Sequence, residues 1–240
     1  MSKEILKNEW YAMRSNTYTL VFTASITVVL GFMLSLAATS LKERQTLNVE
    51  LDIKKNILIA LDIPADGEKY LPEEIQEKYT KIVVPIYVDD EGNLLEETEE
   101  NDKALPVFIQ KMGETIEGYA IPISGKGLWS TLYGYLALES DGKTVKGITF
   151  YKHGETPGLG GEVEKKWFTN NYKQKKIVDE NGVLVSIQAM KGKADPSSAD
   201  FYHEVDGVSG ATMTTKGLNL FLKENLQNYD SYFQQIRLAQ

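Results

Sequence analysis

Asp206-Gly207-Val208-Ser209-Gly210-Ala211-Thr212-Met213-Thr214-Thr215 sets two glycines and four hydroxyl side chains directly before an amphipathic run. From Gly217 onward, Leu218, Phe221, Leu222, Asn225 and Tyr229 fall near i, i+3, i+4, i+7 and i+11, one face of a helix. The spacing predicts a C-terminal helix over about 214–228, with 229–240 available to prolong it. Gly210 permits positive φ and close approach of a bulky group. The free N–H groups of a helix start, with Lys216 in or near the first turn, favour an anion. A hydroxyl delivered there is set up to meet a phosphate. The plainer reading of the same Ser and Thr residues is an N-cap.

Upstream lie the signals of an antiparallel sheet. Ile82–Val88 reads as a strand in which Pro85 calls for an edge or a bulge. Further strands are expected at 118–123, 133–139 and 144–151, the last two joined by a turn containing Asp141-Gly142. A second hairpin is expected from 176–178 and 183–188 around Asp179-Glu180-Asn181-Gly182. Residues 161–172 read as a short helix. Together these predict an α+β domain, a β-rich sheet with helices packed on it. Asp89 to Asp102 holds eight acids in 14 residues without the ordered ligand spacing of a calcium loop, and reads as an exposed turn.

The N-terminus adds a membrane constraint. Tyr18 to Ala38 contains 21 residues without a charge. As a helix this spans roughly 30 Å, the thickness of a bilayer's hydrocarbon core. A cleaved signal peptide is the competing reading, but its apolar region is usually about 7–15 residues behind a short basic start. An uncleaved transmembrane helix at 18–38 fits better, with 1–17 before it. Lysines and arginines on the two flanks do not choose an orientation. Residues 41–61 read as a helical stalk, ended by Pro64, Gly67 and Pro72.

Composition excludes several classes. A formal charge of -8, from 26 Lys plus Arg against 34 Asp plus Glu, and no basic patch interleaved with aromatics argue against a nucleic-acid partner. The absence of Cys removes disulfides, Fe–S clusters and a cysteine nucleophile. His153 and His203 stand 50 residues apart, outside any metal-ligand spacing. Neither GxGxxG after a strand nor GxxxxGK[ST] is present. Ser209, His153 and Asp206 could be drawn as a hydrolase triad, yet Ser209 lacks the G-x-S-x-G elbow. A membrane-anchored adhesion or binding domain without chemistry remains the competitor from another class.

Two further strings join the first. His153-Gly154-Glu155-Thr156-Pro157-Gly158-Leu159-Gly160-Gly161 is a Gly/Pro-rich loop, and Gly125-Lys126-Gly127-Leu128-Trp129-Ser130 precedes a strand. In this order the three resemble the signatures of the covalent-FMN subunits of bacterial respiratory sodium pumps (the C subunits of sodium-translocating NADH:quinone reductases) and of their Rnf relatives (the G subunits). The first string is similar to the flavinylation motif Asp-x-x-Ser/Thr-Gly-Ala-Thr. The long segment between anchor and sheet favours the sodium pump.

The resemblance implies one FMN per chain, esterified through its phosphate to Thr212 by a dedicated flavin transferase, with Asp206, Ser209, Gly210 and Ala211 in the motif positions before it. It implies a short cytoplasmic N-terminus, a stalk and family-specific insert over 39–115, and a covalent FMN-binding domain over 116–240 on the outer face of the inner membrane. The partners implied are membrane lipid and the other subunits of a respiratory complex that couples NADH:quinone electron transfer to sodium export. Glu155, Thr156, Leu159 and Trp129 are the candidates for lining the flavin ring. Leu159 and Trp129 would supply apolar contact and Thr156 a polar one, while Glu155 would either bond a ring N–H or stabilise its turn. On this reading the Gly-rich loop tunes the flavin and does not create the tether.

Overall fold

A computed structural model describes residues 3–95 and 104–239, with side chains from residue 16 onward. The chain divides into two compact units, Met1–Glu50 and Leu51–Gln240. Helix α1 (Lys3–Ala60) begins in the first unit and ends in the second. Its apolar stretch is long and hydrophobic enough to cross a membrane by length and composition, and none of it is buried in protein. Tyr18, Phe22, Leu30, Phe32 and Leu34 are all more than half exposed. A polar side chain within it is served internally, as the Thr27 hydroxyl donates to the Thr23 carbonyl (2.9 Å).

In the second unit, α2 (Pro72–Ile82) leads into β1 (Val83–Val88), followed by β2 (Leu94–Leu95), β3 (Leu105–Met112), β4 (Thr115–Lys126), β5 (Thr131–Glu139) and β6 (Val145–Lys152). Among the described residues these form one antiparallel sheet in the order β2-β1-β3-β4-β5-β6. Strands β1 to β3 come from the stretch assigned above to stalk and insert, and the sheet runs on through that boundary. Pro85 pairs only towards β3 among the described residues, an edge position that needs no second N–H. Of the acidic run, 89–93 form a tight turn in which the Asp89 carboxylate accepts from the backbone N–H of Glu91 and Asn93. Residues 96–102 lie outside the described residues.

Alternation along the strands builds two apolar layers. Tyr119, Ile121, Ile123, Leu136 and Leu138 face α4 (Thr212–Leu238), which contributes Leu218, Phe221, Leu222, Leu226 and Phe233. Ala120, Tyr135 and Ala137 face the other way, against Ile57, Leu58, Leu61 and Ile75. The end of the stalk helix is therefore core of the domain. A large apolar side chain buried in this way contributes about 1.5–3 kcal/mol.

Beyond Ala120, β4 no longer pairs with β3, which is where Pro122 is tolerated. Side chains of α4 take over there. The Asn225 amide bonds both the N–H and the C=O of Ser124, and the Tyr229 hydroxyl donates to the Pro106 carbonyl.

Two expectations need correction. The hairpin at 176–188 reduces to single bridges, Val178 to Leu184 and Thr144 to Lys176. Its ladder breaks because Val185 and Ser186 both donate to the Ile177 carbonyl while Ser186 takes φ +71°. The helix at 161–172 is three pieces, a 3-10 turn over Gly160–Glu164, α3 (Lys166–Thr169) and a 3-10 turn over Asn170–Tyr172. Extended backbone at Lys165 (φ -78°, ψ 143°) separates the first two. Two short strands, β7 (Gln188–Ala189) and β8 (Glu204–Val205), pair in parallel beside the start of α4.

Candidate functional site

The three strings singled out in the sequence meet at one buried carboxylate. Glu155 is 5% exposed. One of its oxygens accepts from the backbone N–H groups of Trp129 (2.9 Å) and Ser130 (3.1 Å), and the other from the Thr214 hydroxyl (2.6 Å). Burial pushes this carboxyl up, but the Thr214 hydroxyl and the N–H groups of Trp129, Ser130 and Leu128 outweigh it and hold it below its ordinary value. Of the two roles open to Glu155, the geometry is that of a clasp. Gly160 is required by it, since a Cβ there would sit 2.5 Å from the Thr214 hydroxyl and 2.7 Å from the carboxylate. His153 belongs to the same turn, accepting at Nδ1 from the Glu155 N–H, with Nε2 3.4 Å from Glu164.

The clasp fixes the first turn of α4, which starts at Thr212, two residues earlier than the periodicity indicated. The N-cap position falls on Ala211, whose side chain forms no capping bond. The N-cap reading of the Ser and Thr residues is thereby set aside. By helix geometry the N–H groups of Thr212, Met213 and Thr214 lack intrahelical acceptors, and the first such bond runs from Thr215 N to Ala211 O. Gly210 adopts φ +75°, as expected, and the Leu159 side chain lies where its Cβ would be, at 2.8 Å.

Three threonines stand in this turn with different fates. Thr214 is 1% exposed and bonded to Glu155. Thr215 is 7% exposed, and among the described residues its hydroxyl has no hydrogen-bond partner. Thr212 is exposed. Thr212 and Thr215 line a cavity of about 800 Å³ together with Asp206, Ser209, Gly210 and Lys216, a size typical of small-molecule sites. Its other side is formed by Trp167, Met190 to Lys193 and Asn219. A second cavity, of about 710 Å³, lies apart from these residues between the end of α1 and α3.

The structure thus brings Asp206, Ser209, Gly210 and Thr212 to one cavity, buries Ala211 beneath it and lays Leu159 against the same turn. Trp129 contributes its backbone to the clasp while its indole is 71% exposed outside that cavity. Thr156 is exposed, and its carbonyl closes the loop by accepting from Leu159 and Gly161. Asp206 accepts from the Ala194 N–H (2.9 Å) and so holds the neighbouring loop. The imagined triad is not assembled, because His153 and Asp206 are engaged with different backbone groups.

Sequence reasoning missed Trp167, Asn219 and the loop Lys191-Gly192-Lys193. A glycine between two lysines, with φ +100° in the structure, was a signal available for the last. The residues present fit a phosphate-bearing group: uncapped N–H groups at a helix start and a cationic rim of Lys191, Lys193 and Lys216.

The family described as FMN-binding domain matches residues 127–227. The Na(+)-translocating NADH-quinone reductase C subunit of Vibrio parahaemolyticus is 34% identical over 234 residues, covering 83% of this chain and 86% of that protein. Its Pseudomonas aeruginosa counterpart is 32% identical over 238 residues, covering 87% and 90%. The crystal structure of the C subunit from Parabacteroides distasonis has a TM-score of 0.69 at 30% identity, covering 80% of this chain and 96% of that one. That of Shewanella oneidensis NqrC has a TM-score of 0.66 at 26% identity, covering 78% and 97%. Between the two resemblances raised by the sequence, these relatives favour the sodium pump. An anchor-like helix, an FMN-binding domain and this likeness along most of its length make the chain a member of the family of Na(+)-translocating NADH-quinone reductase C subunits.

Proposed function

We propose that this chain is a covalent FMN carrier, with the cofactor esterified through its phosphate to Thr212, and that it relays electrons within a membrane complex that couples NADH:quinone oxidoreduction to sodium export. One observation carries the assignment of the acceptor. Of the three threonines at the start of α4, Thr214 is bonded to Glu155, Thr215 is buried, and Thr212 alone is an exposed residue lining the cavity. An external flavin transferase needs such access.

Bound FMN supplies reversible electron uptake and release. The chain's own residues bind and orient it. The start of α4 and Lys216 offset the phosphate charge, and Gly210 leaves room beside the acceptor. Trp167 offers apolar surface to the cavity, and Leu159 lies against Gly210 beside it. A covalent tether keeps the cofactor from diffusing away in a domain that we place on the outer face of the inner membrane, with α1 as anchor.

The test is intact and peptide mass measurement on chain co-expressed with a flavin transferase. Wild type and Thr214→Ser should carry one FMN, and Thr212→Ala none. An adduct mapped to Thr214 or Thr215, or retained in Thr212→Ala, would overturn the assignment.

A further inference from the structure

We propose that the cleft between the end of α1 and α3 is a docking site for an acidic segment of another subunit of the membrane complex. Carboxylates of that segment meet Lys69 and Lys166, and an apolar side chain between them rests on Ile59. The inference rests on the proposed work within a complex and concerns a surface that the cofactor cavity does not include.

The cleft, of about 710 Å³, has four walls: the end of α1, the connection 63–70, the start of β6, and α3 with the turn after it. These walls are braced. The Asp62 carboxylate, just past the end of α1, pairs with Lys173 (2.5 Å), which ties the helix to the turn after α3. The Tyr70 hydroxyl donates to the Ile63 carbonyl. From α2, Lys78 reaches the Pro64 carbonyl (2.6 Å) and the Asp66 carboxylate (2.8 Å). A surface already fixed in this way loses little freedom when a partner binds it.

The charges left over choose the occupant. Four lysines and two acids line the cleft, in a chain whose formal charge is -8. Lys55 is paired with Asp52 (2.7 Å) and Lys173 with Asp62. Lys69 and Lys166 are exposed and form no ion pair among the described residues, and of the two lining acids only Glu68 lacks a lysine partner there. The open charge of the lining is therefore positive. Ile59, on the same cleft, is 40% exposed, apolar area that a partner takes from water. Pro64, Gly67 and Asn170 are exposed as well, so the cleft lacks the enclosure by which small-molecule sites hold their ligands. A segment carried by a larger body needs no such enclosure, and an acidic one complements the charge. Lys166 and Trp167 are neighbours in α3, the first lining this cleft and the second the cavity assigned to the flavin. A segment docked here holds its subunit beside the cofactor cavity without occupying it.

The experiment uses the whole complex, purified in mild detergent through a tag on another subunit. A carbodiimide joins a lysine amine to a carboxylate in direct contact with it, and peptide mass spectrometry locates the amide. Links from Lys69 or Lys166 to Asp or Glu of another subunit are expected, with yields that fall as ionic strength rises. Ile59→Asp keeps both amines and sets a like charge against the segment, so it should cut these links about tenfold, while Ile59→Leu retains them. The double variant Lys69→Glu/Lys166→Glu should make the complex shed this chain at lower salt than wild type, and Lys69→Arg/Lys166→Arg should not. Flavin content should be the same in all four variants, which separates this surface from the Thr212 assignment. Unfolding curves identify any variant that fails to fold, and the wild-type links decide the matter without a substitution. Lys69 and Lys166 linking to no other subunit, or only to carboxylates of a second copy of this chain, would overturn the proposal. So would links and salt resistance left unaltered by Ile59→Asp and the double glutamate variant. Failure of the chain to co-purify with any other subunit would overturn the proposed complex and this site with it.

Discussion

Replacing Glu155 by alanine removes the acceptor for the three donors that meet it in good hydrogen-bond geometry, from two different parts of the fold. These are the N–H groups of Trp129 and Ser130 and the hydroxyl of Thr214, 59 residues along the chain. The buried Thr214 hydroxyl left unpaired costs about 1–3 kcal/mol, and each of the two part-buried N–H groups costs towards the lower end of that range. Water entering the emptied space returns part of that, so the net expectation is about 3–5 kcal/mol. At about 2–4 °C per kcal/mol for a domain of this size, Tm should fall by roughly 6–20 °C. Glutamine keeps the volume and one acceptor oxygen, and its cost should be about 1.5–3 kcal/mol, one charge-assisted bond. The pH dependence has a definite sign. Because the folded carboxyl is held below its ordinary 4.5, its stabilisation is fully present above 4.5 and lost as pH falls through the folded value. The gap between wild type and Glu155→Gln should therefore be constant from pH 7 down to about 5 and narrow in stronger acid. Chemical denaturation across that range reads it. A gap that stays the same in acid, or a Glu155→Ala variant within 1 kcal/mol of wild type, would refute the clasp.

Two other outcomes concern the ring and the membrane. Leu159→Ala, at a side chain 43% exposed against Gly210, should leave FMN attached and Tm within about 2–3 °C of wild type, under 1 kcal/mol. Its flavin fluorescence and midpoint potential should shift, and a large Tm loss with an unchanged potential would make Leu159 structural. With α1 as an uncleaved anchor and the domain outside, protease added to cells with a permeabilised outer envelope should degrade the domain, and the mature N-terminus should lie at or near Met1. Protection, or an N-terminus near Thr39, would reverse the orientation or the anchor.

What the sequence disclosed was local and periodic. The apolar run, the amphipathic stripe of α4 and the Asp141-Gly142 turn each repeat one physical rule over neighbouring residues, and each is present in the structure. The resemblance marked which strings matter but not how they touch. Glu155 to Thr214 and Asn219 to Ala189 are isolated residue pairs between segments 59 and 30 residues apart, and no periodicity announces them. The parallel pair β7 and β8 is equally hidden, being two residues per strand. The failed hairpin shows the converse. Asp179 and Gly182 make the turn their sequence calls for, yet the ladder stops where Ser186 takes positive φ and Val185 and Ser186 share the Ile177 carbonyl.

The clasp changes how the cofactor's two requirements relate. Ring environment and tether were expected to separate by mutation, since one belongs to the Gly-rich loop and the other to the start of α4. Separation is still the expectation for Leu159, whose side chain is part-exposed against Gly210. It cannot hold for Glu155, because the carboxylate that closes the Gly-rich loop is also the acceptor that fixes Thr214, two residues from the proposed attachment point. Any group bound across both segments is therefore referred to one rigid origin. For the proposed electron carrier this would be useful physically: a phosphoester alone would leave several rotatable bonds between backbone and ring, and a fixed loop beside the proposed tether would reduce the arrangements that remain. The glycines follow from the same demand, since Gly160 leaves the room in which the carboxylate and the threonine meet.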